Sequence, residues 1–488
     1  MNSTFSWLDW LIFFGYFAVL GVSSYLFSRQ KISTSREFFV GANAMPMLGV
    51  ALSVLATSQS AATFLGVPEF AYKYDFTLIG FYFSSLLATV FVSVVLVPKF
   101  YAMRAVTVYE LLQKRYGERA KKQAGVMFLL GRILASGARL YIGSLAVSMI
   151  LFNDISALHV ASGIAILMIG ALIYTYFGGI KSVIFSDVLQ AFIYVGAGVF
   201  VLWYLYDSLE SVNIVQVLQE SDKLKWYDTS LDGKFSIMGL LSGWFLLNIA
   251  AFGLDQDMTQ RVLSCKNERE AKNSLYLAAL LTIPIVLLFL TIGALLFVHY
   301  HNAQITQNYQ GETVTIFMYY ILNEMPDGLK GIVTVGAIAA GLSSTNSVLG
   351  AMSSVAVEDI YKPYKLAKGR ASELHFVKAA RVGVLFFALI LSAMAMVSYF
   401  WQRYSELSLI GFALGVMSFA YSGLLGVYIS ALFTSRGSAK LVPFALGGGF
   451  VSVLLLQPYI FGVSVGFSWQ IVIGTLVSFL IMQGGRNG

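Results

Sequence analysis

Ala56-Thr57-Ser58-Gln59-Ser60-Ala61-Ala62-Thr63 sits in the middle of a run that is otherwise apolar over residues 45–71, with Gly66 and Pro68 just beyond it. A run of that length can cross a bilayer, for which about 20 mostly apolar residues suffice. Hydroxyl and amide side chains at its centre are out of place against lipid. Backbone leaves helical geometry at membrane depth only where it lines a cavity or is packed in protein. Interrupted helices expose carbonyls and half-helix ends that can hold ions and polar solutes. Ser and Thr can instead bond back to their own helix and mark a close packing contact. A polar run this long, followed by proline, favours a site over a packing contact.

The rest of the chain has the same character. Of 488 residues, 58% are hydrophobic and 12% charged, and the mean hydropathy is +0.75. Soluble domains carry about 25% charged residues. Aromatics at 15% and 44 glycines suit packed membrane helices with interfacial aromatic belts. The pattern predicts an all-α polytopic membrane protein with about 13 transmembrane helices. Numbered from zero, they are expected at residues 7–27, 45–71, 77–97, 124–152, 157–177, 183–205, 238–256, 275–300, 329–355, 377–400, 405–432, 441–455 and 463–482. The start Met1-Asn2-Ser3-Thr4 has no basic region or small-residue cleavage site, so the first span is expected to be retained.

The balance 32 − 25 = +7 would raise nucleic-acid binding in a soluble chain. Here the cations fall in alternate loops: Arg29, Lys31 and Arg36; Arg104, Lys114, Arg115, Arg119, Lys121 and Lys122; Arg261, Lys266, Arg269 and Lys272; Lys362, Lys365, Lys368 and Arg370; Arg436 and Lys440; Arg486. The positive-inside rule then places the N-terminus outside and the C-terminus in the cytoplasm, with the lipid bilayer and no nucleic acid as partner. The loops 207–234 and 301–327 are too small for separate domains and are expected to hold short external helices or lids. Residues 107–112, Thr-Val-Tyr-Glu-Leu-Leu, read as an interfacial amphipathic helix.

Span eight carries Ala340-Gly341-Leu342-Ser343-Ser344-Thr345-Asn346-Ser347. Ser343 and Ser347 share a helical face, flanked by Ser344 and Asn346. Neutral oxygens of this kind suit a hard, weakly held cation, although small polar residues also let helices approach closely. Asp187, in Phe185-Ser186-Asp187-Val188, is an acid inside a span, where a carboxylate is a functional candidate by default. Arg132 and Arg139, seven apart, lie on one face of span three. Either could grip an anionic solute or pair with a lipid or a fixed carboxylate. His159, His299, His301 and His375 sit at span ends or in loops, and no His–acid pair shares a span interior, which argues against an enzyme. The single cysteine, Cys265, excludes an internal disulfide framework and is expected to be inert.

Phe177-Gly178-Gly179-Ile180-Lys181-Ser182-Val183 running into Ser186-Asp187, Asp255-Gln256-Asp257 to Gln260-Arg261, the Ser343-Ser344 pair and Glu358-Asp359-Ile360-Tyr361 together resemble the sodium/solute symporter family, of the LeuT-type fold. The resemblance covers essentially the whole chain. Gln59-Ser60-Ala61 with Leu65-Gly66-Val67-Pro68 looks like the multivitamin and monocarboxylate branch, and Gly137-Ala138-Arg139-Leu140 like the proline-transporter branch.

The resemblance implies a 5+5 inverted repeat with peripheral helices. Residues 1–44 would be a peripheral first helix and inner loop, 45–206 the first repeat, 207–234 an external loop, 235–432 the second repeat, and 433–488 two peripheral C-terminal helices. It implies a central sodium ion on backbone carbonyls of Ala56, Gln59 and Ala340 and the hydroxyls of Ser343 and Ser344. Sialic-acid transporters of the family hold a second sodium, whose matching positions are Asp187, Ser343, Asn346 and Ser347, with Asn346 standing where those transporters have a serine. Ser58, Ser60 and Thr63 match solute contacts, and Arg132 aligns with the arginine that binds the sialic-acid carboxylate. The function implied is a sodium-coupled symporter importing a small organic, carboxylate-bearing solute by alternating access, as a monomer in a bacterial inner membrane. A proton-coupled carrier titrating at Asp187 and a membrane solute sensor are the alternatives.

Overall fold

The computed structural model describes residues 5–28, 32–231, 233–300, 308–309, 312–369, 371–403, 409–457 and 465–485. Arg29, Lys31, His301, Arg370 and Arg486 lie outside the described residues, as do the expected starts of spans ten and twelve at Ser405 and Val463. The fold is helical, as expected, apart from Asn308–Tyr309 pairing antiparallel with Glu312–Thr313. Among the described residues eight helices are long and apolar enough to cross a membrane, or nine with a bent pair taken as one.

The first crossing is α1 (Trp7–Ser28), followed by the short α2 (Ser35–Val40), whose N-terminus is capped by the Thr34 hydroxyl accepting from Glu37 N. The polar stretch read above then interrupts a span. α3 (Met47–Ser58) and α4 (Ala61–Lys73) meet at 61°. Gln59 (φ −85°, ψ 151°) and Ser60 (φ −150°, ψ 172°) are extended. The Ser60 carbonyl restarts the helix by accepting from Thr63 N and Phe64 N.

α5 (Ile79–Phe91) continues through a π turn into α6 (Val97–Ala102), and α7 (Glu110–Tyr116) precedes the long α8 (Glu118–Phe152). The expected interfacial helix over residues 107–112 is corrected here. Thr107, Val108 and Tyr109 are fully buried and precede α7. The Gln256 side chain holds them, accepting from Val108 N (3.0 Å) and donating to Val106 O (2.8 Å). The segment faces protein rather than the membrane surface.

α9 (Ala157–Asp207) spans 51 residues, about 76 Å if straight, more than twice a hydrocarbon core of ~30 Å. It is not straight. Ser182 Oγ donates to Tyr174 O at 2.8 Å and Gln190 Nε2 to Tyr174 OH at 3.1 Å. Residues that far apart meet only if the chain reverses between them. The reversal is at Gly179 (φ 57°, ψ −153°), where a Cβ would sit 2.5 Å from Phe38 O, so glycine is required. The runs expected at 157–177 and 183–205 are therefore the two arms of a helical hairpin.

After α10 (Ile214–Glu220), in the first long loop, come α11 (Ile237–Leu241) and α12 (Gly243–Ile249), a π turn over Ala250–Leu254, and α13 (Gln256–Val262). The span expected at 238–256 is present as one apolar run over Ile237–Leu254 and ends at Asp255, where the helix breaks before α13. Asp255 is extended (φ −89°, ψ 120°) and its side chain caps α13 by accepting from Asp257 N.

The remaining elements are α14 (Glu268–His299), α15 (Ile316–Asn323), α16 (Leu329–Ser354), a π turn into α17 (Lys362–Ala367), α18 (Glu373–Arg403), α19 (Leu409–Phe433), α20 (Val442–Leu455) and α21 (Phe467–Gln483). α10 and α15 are the short loop helices expected. The apolar window of α16 is 89% buried and that of α1 28%, so α16 is the axis and α1 lies at the rim. The rim helix still grips the axis. Asp9 Oδ1 accepts from Gly328 N (2.8 Å) and Gly331 N (2.6 Å), placing a carboxylate on the N-terminus of α16.

Candidate ion and solute site

The two polar stretches meet. Thr57 Oγ1, at the end of α3, lies 3.0 Å from Ser347 Oγ of α16. Ala61, which opens α4, faces Gly341 and Gly143 of α8. The last carbonyls of a helix lack partners within it, so those of α3 around Ala56 are available beside this contact. Ser343 Oγ donates to Asp187 Oδ1 at 2.9 Å, and Ser344 Oγ bends back to Gly341 O at 3.0 Å and Ala340 O at 3.4 Å. Gln59 is buried, and its Oε1 accepts from Tyr194 OH at 3.4 Å. Ser58 Oγ donates to Leu55 O, and Ser60 Oγ lies 3.5 Å from Thr63 Oγ1 across the start of α4.

Asp187 joins three elements, and its two oxygens divide the work. Oδ1 accepts from Ser343 and, at 3.4 Å, from Asn346 Nδ2. Oδ2 accepts from Ser53 Oγ at 2.5 Å and from Arg261 at 2.9 Å. Arg261 is a correction. Counted above among the cations of an inner loop, it is fully buried, held by Asp187, Ser53 (2.8 Å), Ser347 and the Asp257 carbonyl (2.8 Å) and carboxylate (3.2 Å). It stands where it does because α13 continues past the second break and carries it inward. Lys121, assigned above to the same class of inner-loop cations, is also buried, 3.7 Å from Asp359.

Arg132 is buried between fixed carboxylates. It meets Asp255 at 2.6 Å and 3.2 Å and Asp257 at 3.1 Å, and Tyr421 OH also donates to Asp255. It lies eleven positions, about 16 Å of helix, from Gly143, the α8 residue that faces Ala61. The structure therefore brings Ala56, Gln59, Ala340, Ser343, Ser344, Asp187, Asn346 and Ser347 into one region. It sets Arg132 apart from Ser58, Ser60 and Thr63. Asp255, Asp257 and Arg261 were not among the candidates. The polar run Asp255-Gln256-Asp257-Met258-Thr259-Gln260-Arg261 was the available signal, masked by its position at a presumed span edge.

Cys265 is buried beside Ser274, and burial pushes its thiol up to about 12, consistent with an inert residue. Among the described residues no cluster of three or more His, Cys, Asp or Glu could hold a metal. The oxygens around Ser343 are hydroxyls, amides and the Asp187 carboxylate, a set that suits a hard cation rather than a transition metal.

The model of the sodium:solute symporter family matches residues 38–440. The chain belongs to that family. It is a sodium-coupled symporter and a multi-pass membrane protein. The sodium/sialic acid symporter SiaT of Proteus mirabilis is 28% identical over 97% of this chain and 93% of its own length. The sodium/sialic acid symporter NanT of Aliivibrio fischeri is 28% identical over 98% and 92%. The human sodium-coupled monocarboxylate transporter 1 is 27% identical over 74% of this chain and 60% of its own. Among solved structures, the substrate-bound outward-open state of a Na+-coupled sialic acid symporter superposes with a TM-score of 0.83 at 25% identity, covering 98% of this chain and 97% of that one. The nucleobase-cation symporter Mhp1 shares the fold at a TM-score of 0.51 and 15% identity. The symporter thus has the LeuT-type architecture expected of it.

Proposed function

We propose that this symporter carries a carboxylate-bearing organic solute into the cell with sodium by alternating access, and that the solute is a sialic acid. The observation that carries the reading is the meeting of the α3–α4 break with the hydroxyl stretch of α16 at Thr57 and Ser347. Carbonyls of Ala56, Gln59 and Ala340 with the hydroxyls of Ser343 and Ser344 would hold one sodium and tie the two elements together. A second would use Asp187 Oδ1 with Ser343, Asn346 and Ser347. Asn346 Nδ2 points at Oδ1 here, so its amide would turn to offer oxygen instead. Solute would lie along Ser58, Ser60 and Thr63, and its carboxylate would meet Arg132, set apart from them here, only in a state of the cycle that brings α8 closer to the break and frees the guanidinium from a fixed acid. Both sialic acid symporters above match this chain over nearly its full length, which supports that solute first. Sodium coupling leaves the proton-coupled and sensor alternatives without support.

The same reading takes the Gly179 hairpin as two crossings and α19, α20 and α21 as one each. That makes thirteen, with repeats over 45–206 and 235–432 flanked by 1–44, 207–234 and 433–488. The N-terminus would be outside, the C-terminus in the cytoplasm of a bacterium, and the working unit a monomer in the inner membrane. The test is thermal stability of the purified protein in sodium against potassium, with sialic acid, monocarboxylates and proline added in turn. A ligand that binds only the native state raises the melting temperature. A sodium-specific rise enlarged by sialic acid supports the reading, and enlargement by proline alone would replace the solute assignment.

A further inference from the structure

Away from the ion and solute site, α5 and α12 leave between them an open-sided groove of about 450 Å³, a volume in the range of small-molecule sites. Leu87, Val90, Phe91 and Val94 line one side, and Leu241 and Phe245 the other. Two close contacts fix its shape. Ser84 Oγ donates to Leu240 O at 2.7 Å near the start of α5. Further along, Val92 and Leu96 in the π turn after α5 meet Gly253 in the π turn after α12. A Cβ on that glycine would lie 2.5 Å from Leu96 Cδ1, so only glycine lets the two turns approach this closely. Between these contacts the helices part, leaving Leu87 51%, Val90 44% and Val94 62% exposed. Both walls belong to apolar runs long enough to span a membrane, so the opening faces acyl chains.

Charge selects among lipids. In the two runs that wall the groove, Ile79–Ala102 and Ile237–Leu254, Lys99 is the only charged residue. It is exposed, stands one turn beyond Val95, which also lines the groove, and forms no ion pair among the described residues. Phe433, at the end of α19, packs its ring 6.3 Å from that of Phe91, and Arg436, exposed and three residues later, is a second cation near that contact. Length agrees with charge. Leu87 and Lys99 are separated by about 18 Å of helix, close to half of a ~30 Å hydrocarbon core. An acyl chain ending at Leu87 therefore carries its phosphate to Lys99. We propose that the groove binds an anionic phospholipid, one acyl chain lying between α5 and α12 and the phosphate pairing with Lys99, with Arg436 adding to the field. A zwitterionic lipid offers the groove the same chain but no net charge. Cations at the ends of clefts between spanning helices are how acidic headgroups are selected.

The test follows the melting temperature of the purified full-length protein in detergent as dioctanoyl phosphatidylglycerol, dioctanoyl phosphatidylcholine or glycerol phosphate is added, since a ligand of the native state raises it. Phosphatidylglycerol should act at a concentration at least about five-fold below that of phosphatidylcholine, the advantage one cation gives an acidic headgroup. Glycerol phosphate, which has no chain, should do nothing. Lys99→Gln should take back about five-fold of the advantage and leave the response to phosphatidylcholine as it was. Val94→Trp fills the groove from an exposed position, so the variant folds, and it should weaken both lipids about ten-fold, roughly two displaced methylenes' worth. Equal action of the two lipids on the unaltered protein overturns the proposal and leaves the groove to ordinary surrounding lipid. An advantage untouched by Lys99→Gln, or lipid responses untouched by Val94→Trp, overturns it as well. Stabilisation by glycerol phosphate overturns it in favour of a free-phosphate site, and a dimer that Val94→Trp splits on gel filtration gives the groove to a second copy of the chain.

Discussion

Arg261 and Asp187 form a fully buried ion pair at 2.9 Å, linking α13, just past the second helix break, to the second arm of the Gly179 hairpin. Removing one partner of such a pair leaves the other charge uncompensated, at about 3–5 kcal/mol. Arg261→Gln should therefore lower the melting temperature in potassium. Sodium should restore part of the loss, because an ion at Asp187 replaces the missing positive charge. Equal melting in sodium and potassium for this variant would separate Asp187 from ion binding.

Among the described residues the Ser344 hydroxyl donates to carbonyls of its own helix, including that of Ala340, a proposed sodium ligand. Ser344→Ala should keep the fold and raise the sodium concentration for half-maximal uptake on the order of ten-fold, a change of ~1.4 kcal/mol. Unchanged sodium activation would remove Ser344 from the ligand set.

Arg132 neutralises both Asp255 and Asp257. Arg132→Ala alone should cost about 3–5 kcal/mol, so loss of uptake in it says little about solute binding. The double change Arg132→Ala with Asp255→Asn should recover much of that stability. If Arg132 also grips the solute, the double variant melts near the unaltered temperature yet shows no stabilisation by sialic acid. Stabilisation by sialic acid in it would leave Arg132 a purely structural role.

Asp9 satisfies two buried N–H groups at the start of α16. Asp9→Ala leaves both without a partner and should destabilise by ~1–3 kcal/mol for each. Asp9→Asn keeps an acceptor and should lose less. Melting temperatures of the two variants in one detergent give the comparison, and equal losses would mean that charge, not hydrogen bonding, matters there.

Glu37 caps the turn into α2. The Ser33 N–H (3.1 Å) and the nearby Lys181 (3.6 Å) hold its carboxyl below the ordinary 4.5. A carboxylate lowered in the folded state contributes stability above its unfolded value and loses it as pH falls through the folded one. This contribution should be constant from about pH 7 to 5 and decline below ~4.5. Glu37→Gln should flatten that part of the melting profile; an unaltered acid limb would assign it to other carboxylates.

How much of this was legible follows from what hydropathy measures. Spans and loop charges report transfer of single segments between water and lipid, so the membrane class and the positions of the apolar runs came from composition alone. The α3–α4 break was legible because its hydroxyls sit at the centre of an apolar run, and Ser343 to Ser347 for the same reason. Arg261 and Lys121 read as loop cations because a single segment does not reveal the distant acid that makes burial tolerable. Asp187 and Asp359 supply those acids only after α9 and α16 have packed. The break at Asp255 was hidden because an acid at a span edge looks like the edge. Only the tertiary structure, by bringing Arg132 and Arg261 onto Asp255, Asp257 and Asp187, shows that the edge lies inside the protein.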